Sequence, residues 1–127
     1  SPEALMGNLT DSIKETIAEI RPGIIATVSG DGIPNVSAKG SLRVLDDDHL
    51  VFADISSPRT IANLKENPNL SVLVVHPKTM KGCRIWGKGE VLSSGELFDR
   101  MTQEFADRNL KVNNIVRITV EEALDSF

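Results

Sequence analysis

Ser57-Pro58-Arg59, with Ser56 before them and Thr60 after, combine the groups that a bound anion needs. They follow an apolar run, Leu50 to Ala53, that reads as a strand closed by Asp54. Ser57 suits a helix N-cap and Pro58 the first helical position, where a missing N–H costs nothing. The helix predicted from Pro58 runs to Glu66. It stops because Asn67 precedes Pro68, and a residue before proline is driven out of the helical region. At its opening turn the free backbone N–H groups, the positive end of the dipole, the hydroxyls and the Arg59 guanidinium would all serve a phosphate. The same residues equally describe an ordinary capped helix with a solvated arginine.

Other chemistries find less support. The Asp46-Asp47-Asp48 run reads as a polar turn, because a hard cation needs ligands from several elements, and no metal site is expected. His49 and His76 stand apart from any Cys or carboxylate motif and read as structural, so no Ser-His-Asp or Cys-His arrangement can be drawn. Cys83 is the only cysteine. It opens an alternating strand, reads as a small buried apolar residue and leaves no internal disulfide. A net charge of -4 without a basic run argues against nucleic acid. With no leader-like or membrane-length apolar run, a cytoplasmic protein with no membrane contact is expected. Ser1 reads as a remnant of tag removal.

The elements that must position these groups follow from periodicity. The 127 residues, 40% of them hydrophobic, make about one domain, 1–127, whose first nine residues are expected to be poorly structured. Ser12 and Glu15 resemble a capping box, and Ile13, Ile17 and Ile20 share one face of a short helix that ends at Arg21-Pro22-Gly23. Ile24 to Ser29 and a run from Ile33 form a hairpin around Gly30-Asp31-Gly32. In the second strand Val36, Ala38, Gly40, Leu42 and Val44 are expected on an apolar face, with Ser37, Lys39, Ser41 and Arg43 on a polar one. Lys39 is a candidate for a phosphate cleft, while Arg43 reads as a solvated cation.

His49 to Asp54 is the third strand, and Leu70 to His76 reads as a strand buried on both faces. Cys83 to Ser93 alternates, with Gly87 and Gly89 permitting a bend. Ser94 is expected to cap a helix from about Gly95 to Arg108, and Asn113 to Val120 is the last strand. Six strands joined mostly by tight turns, with inserted helices, point to a mainly β protein forming a closed antiparallel barrel.

The run Arg59-Thr60-Ile61-Ala62-Asn63-Leu64-Lys65-Glu66-Asn67-Pro68, after Pro34-Asn35-Val36 and Leu42-Arg43-Val44-Leu45-Asp46, resembles the FMN-binding split-barrel family. That family includes pyridoxamine 5'-phosphate oxidase and small FMN-binding proteins, and the likeness covers about Ile13 to Val120. It implies a six-stranded antiparallel Greek-key split barrel, a homodimer, and one FMN in each of two clefts between subunits. Carried over by position, Arg59 and Thr60, with Ser57, match the FMN phosphate seat. Lys39 and Ser37 match positions beside the phosphate or ribityl chain. Val36 and Ala38 match backbone along the ring edge, and Ala53 and Asp54 the strand end beneath it. Trp86, the only tryptophan, either covers a flavin across the dimer interface or is buried there without touching it.

The resemblance implies a flavin-dependent oxidoreductase or electron carrier. The alternatives are a dimeric module using a deazaflavin or haem, or one without turnover. Pyridoxamine phosphate oxidases continue past the last strand into a segment whose arginine and histidine hold the substrate. Here Glu121 to Phe127 has no counterpart, so that activity itself is not expected.

Overall fold

The computed structural model describes residues 7–127. Its elements run in order: α1 (Asp11–Glu19), β1 (Gly23–Val28), β2 (Pro34–Lys39), β3 (Arg43–Val44), β4 (His49–Asp54), α2 (Pro58–Glu66), β5 (Asn69–Val75), β6 (Gly82–Leu92), α3 (Glu96–Ala106) and β7 (Asn114–Leu124). The seven strands form one sheet in the order β2-β1-β5-β6-β7-β4-β3, antiparallel at every pairing. The sheet curls into a split barrel whose two edges, β2 and β3, are neighbours in the chain.

The count is seven rather than six because the expected second strand breaks after Lys39. Gly40 to Leu42 turns the chain, and only Arg43 and Val44 pair again, now with β4. The faces of β2 are also reversed from expectation. Val36 is 67% exposed and Lys39 only 8% exposed, so the apolar side chains point out and the polar ones in.

β5 buries one face, not two, its residues alternating between buried and half-buried. The strand buried on both faces is β4. Its Leu50 and Phe52 join the main core with Ile13, Ile25, Val72 and Ile85. Its Val51 and Ala53 join a second core under α3 with Met101 and Phe105. A strand with helices on both sides must be apolar throughout, whatever the period.

The helix caps differ in detail. Thr10, not Ser12, caps α1 by accepting from the Ile13 N–H, and Ser12 instead donates to Asp125 Oδ2 at 2.7 Å. Gly95, at φ 101, rather than Ser94, precedes α3. Of the segment expected to be poorly structured, residues 1–6 lie outside the described residues. Residues 7–9 are held: Leu9 is buried, and Asn8 Nδ2 donates to the Val120 carbonyl at 2.7 Å. The aspartate turn is spent on the fold, Asp47 pairing with Lys14, Asp46 with His49, and Asp48 accepting from the Asn8 N–H.

Gly87 sits at the β-bulge between Trp86 and Gly87, where an added Cβ would run into the Thr119 carbonyl oxygen. The obstacle is backbone and cannot rotate away. Gly87→Ala is therefore expected to cost about 1–3 kcal/mol by forcing β6 from β7. An unchanged urea midpoint for that variant would refute the bulge's role. Cys83 is fully buried, and burial, aided by the nearby charge of Asp125, pushes its thiol up to about 11. Since the thiolate is the reactive form, a maleimide at pH 8 should label Cys83 only as the chain unfolds. Equal labelling rates in buffer and in urea would contradict this.

Candidate functional site

α2 begins where the sequence places it, and its start is built by a carboxylate rather than by a cap. The Ser57 side chain makes no capping bond; its backbone N–H donates to Asp54 Oδ1 at 2.9 Å. The other Asp54 oxygen accepts from Asn114 Nδ2 at 2.9 Å. Asp54 is 4% exposed and fully committed, so it positions the helix rather than facing a ligand. The first N–H used inside the helix is that of Ile61, donating to the Ser57 carbonyl. The N–H groups of Arg59 and Thr60 remain as helix-start donors, since Pro58 has none.

Thr60 is buried, and its hydroxyl meets that of Ser37 at 3.1 Å, which joins α2 to β2. Arg59 is exposed beside this pair and forms no ion pair with any described residue. The structure thus brings together Ser37, Ser57, Arg59 and Thr60.

The end of β2 opens onto a cavity of about 520 Å³ between β4 and α3. Ala38, Lys39, Gly40, Ser41, Ala53 and Ile55 form one wall. Arg21, Arg43, Glu104, Phe105, Arg108 and Leu110 form the other. The small side chains of Ala38 and Ala53 leave the wall flat. Ser41 Oγ accepts from the Ala53 N–H at 2.9 Å and so pins the β2–β3 turn onto β4. Lys39 also borders this space, but its Nζ lies over the Phe52 ring, 5.8 Å from the centre, on the main-core side of β4 rather than the Ala53 side. Burial lowers the Lys39 pKa, and attraction to Asp54 only partly opposes this. A second groove, about 560 Å³, runs past Asp54, Ser56, Ser57, Lys65, Asn113 and Asn114, sharing Ile55 with the first.

Val36 and Trp86 lie elsewhere, on the outside of the sheet. Strand register sets them in one row, Val36-Ala26-Ser71-Trp86-Glu122, next to a second row, Ala38-Ile24-Leu73-Arg84-Leu124. Paired residues on neighbouring strands share a face. This outer face is largely apolar yet half-buried or exposed, and the Arg84 guanidinium stacks on Trp86 at 5.2 Å. Trp86 lines neither cavity.

Sequence reasoning missed Arg21, Ser41, Glu104 and Arg108, and read Arg43 as solvated, whereas it lines the cavity. Ser41 shares the alternation that singled out Lys39 and was recoverable from it. Arg21 and Arg108 carry no local signal, because only the closure of the sheet brings them together. Neither His49 nor His76 lines either space; His76 Nδ1 accepts from the Lys78 and Thr79 N–H groups of its own turn. Among the described residues no group of three or more His, Cys, Asp or Glu is placed to hold a metal, and no helix is long and apolar enough to cross a membrane.

The chain is 32% identical over 105 residues to an uncharacterized protein of Methanocaldococcus jannaschii, MJ0282, across 77% of this chain and 68% of that one. Its fold matches that of HupZ from Group A Streptococcus with a TM-score of 0.85 at 24% identity, covering 93% of this chain and 95% of that one. An FMN-binding protein from Syntrophomonas wolfei matches with a TM-score of 0.82 at 22% identity, covering 97% and 89%. The family model described as pyridoxamine 5'-phosphate oxidase matches residues 9–126, which contain the whole sheet and both cavities, and the chain belongs to that family.

Proposed function

We propose that this protein is a cytoplasmic homodimer that binds FMN at the junction of β2 and α2 and acts as a flavin-dependent oxidoreductase or electron carrier. One observation supports this above the others. The same short junction holds an unpaired guanidinium, free helix-start donors, a small-residue wall and a buried unpaired ammonium. A phosphate dianion needs cations and N–H donors, and Arg59, the Arg59 and Thr60 amides and Ser56 supply them. A flat aromatic ring needs an apolar wall with few polar groups, as Ala38 and Ala53 provide beside Lys39. When bound, the flavin supplies hydride or single-electron transfer, while the protein binds and orients it.

The homodimer is the occupant that suits the outer face. A contiguous apolar surface on a small chain marks an interaction site. A second copy laid on it would cover Val36, Ala38 and Trp86 together and place the junction at the rim of the seam. In this arrangement Trp86 acts from the interface. Haem would require an axial ligand in the groove, and the structural engagement of His49 and His76 favours the flavin instead.

The test is the visible spectrum and melting curve of the purified protein before and after adding FMN, with a deazaflavin in parallel. A ligand that binds only the folded state at a hundred times its Kd stabilises it by about 2.7 kcal/mol, a rise of several degrees in Tm. A colourless protein with no shift from FMN removes the proposal. A shift from the deazaflavin alone would move the reading to that cofactor.

A further inference from the structure

α2 meets the rest of the fold along two flanks of opposite character. On one flank Ile61 and Leu64 join the main core. On the other, Thr60, Asn63 and Glu66 recur every third residue and so line one side of the helix. Each of them is bonded to the β1–β2 hairpin. The Thr60 hydroxyl meets that of Ser37 at 3.1 Å, Asn63 Nδ2 donates to Thr27 Oγ1 at 3.1 Å, and Glu66 Oε2 accepts from the Gly30 N–H at 2.7 Å. Ser37 lies opposite Ile25, two residues before Thr27, so the partners follow the hairpin towards its turn in step with the helix.

The middle bond is the buried one. Thr27 and Asn63 are 4% and 8% exposed, and a buried hydroxyl–amide pair adds little net stability, because both groups are hydrogen-bonded to water in the unfolded chain. Two apolar side chains of the same shape would hold the helix about as firmly. They would not fix its angle. Apolar contact is non-directional, whereas a hydrogen bond weakens steeply once its donor is misaligned. Side chains end about 5–6 Å from a helix axis, so a rotation of about 20° around that axis carries a side-chain tip roughly 2 Å. A shift of that size breaks a hydrogen bond.

We propose that the Thr27–Asn63 bond is a positioning contact, which fixes the rotation of α2 on the hairpin and so the direction in which Arg59 presents its guanidinium to a phosphate. Arg59 stands one residue before Thr60, exposed at the head of the bonded flank, and a rotation of the helix swings it directly. The helix-start amides point along the axis and are little changed by the same rotation. Thr60–Ser37 and Glu66–Gly30 brace the flank at its two ends. The role rests on the reading of Arg59 as part of an FMN phosphate seat, and it falls to two residues that touch no ligand.

Thr27→Val combined with Asn63→Leu replaces both partners by apolar groups of similar size. The double variant should melt within about 2 °C of the parent and bind FMN roughly ten- to thirtyfold more weakly in fluorescence titrations. Thr27→Ser keeps the hydroxyl and should bind like the parent. Because the loss acts through Arg59, it should not add to that of Arg59→Ala: the triple variant should bind at most about twofold more weakly than Arg59→Ala alone. A bond that serves only to hold the fold together would lower the melting temperature instead, and its effect would add in full. The proposal is overturned by a double variant that holds FMN as tightly as the parent, by one that melts well below it, or by losses that add in full with Arg59→Ala. A parent that takes up no FMN fails differently, since it removes the seat itself and this role with it.

Discussion

Arg59→Ala is expected to weaken FMN binding by roughly 10- to 100-fold, since a charge-assisted hydrogen bond to phosphate contributes about 1.5–3 kcal/mol. The loss should fall on affinity and not on folding. Arg59 is exposed, bonds to no described residue and packs into neither core, so its removal leaves the Asp54–Ser57 and Ser37–Thr60 bonds in place. Arg59→Lys should recover part of the affinity, because an ammonium keeps the charge and loses the fork. FMN titrations followed by flavin fluorescence, with melting curves of the free proteins as a control, measure both effects. A variant that holds FMN as tightly as the parent removes Arg59 from the seat.

Val36→Asp should have the larger effect. Val36 projects from the edge strand at the end of the largely apolar outer face, 67% exposed, and the substitution removes nothing from either core. In a two-fold interface the new carboxylate appears twice, and each copy must be stripped of water to rebuild the contact. The dimer should weaken by roughly a thousandfold or more, equivalent to about 4 kcal/mol. Sedimentation at micromolar concentration should show the parent as a dimer and the variant as a folded monomer that has lost most of its FMN affinity. A parent that sediments as one subunit, or a variant that stays paired with full affinity, would refute the assignment of this face.

How far the site was legible depends on where its signals lie in the chain. α2 was readable to the residue, because proline at each end leaves the backbone little choice. The grouping of Ser56, Ser57, Arg59 and Thr60 at its start was readable for the same reason, these residues being adjacent in sequence. The reversal of β2 was not. Alternation says which residues share a face but not which face is inward, and here the apolar side of β2 lies outside. The break after Lys39 was hidden because Ser41, Leu42 and Arg43 continue the same alternation while the backbone turns. The cavity's second wall depends on α3 folding back over β4, which places Glu104 beside Arg43 across 61 residues. No local pattern encodes that meeting.

Asp54 has a consequence for how the molecule transmits force. Its two oxygens clasp the first turn of α2 on one side and Asn114, at the opening of β7, on the other. The clasp couples the first turn of α2 to the alignment of the final strand. A shift of Asn114 is thereby passed to the Ser57 amide, whereas the Ser56 side chain stands outside the clasp.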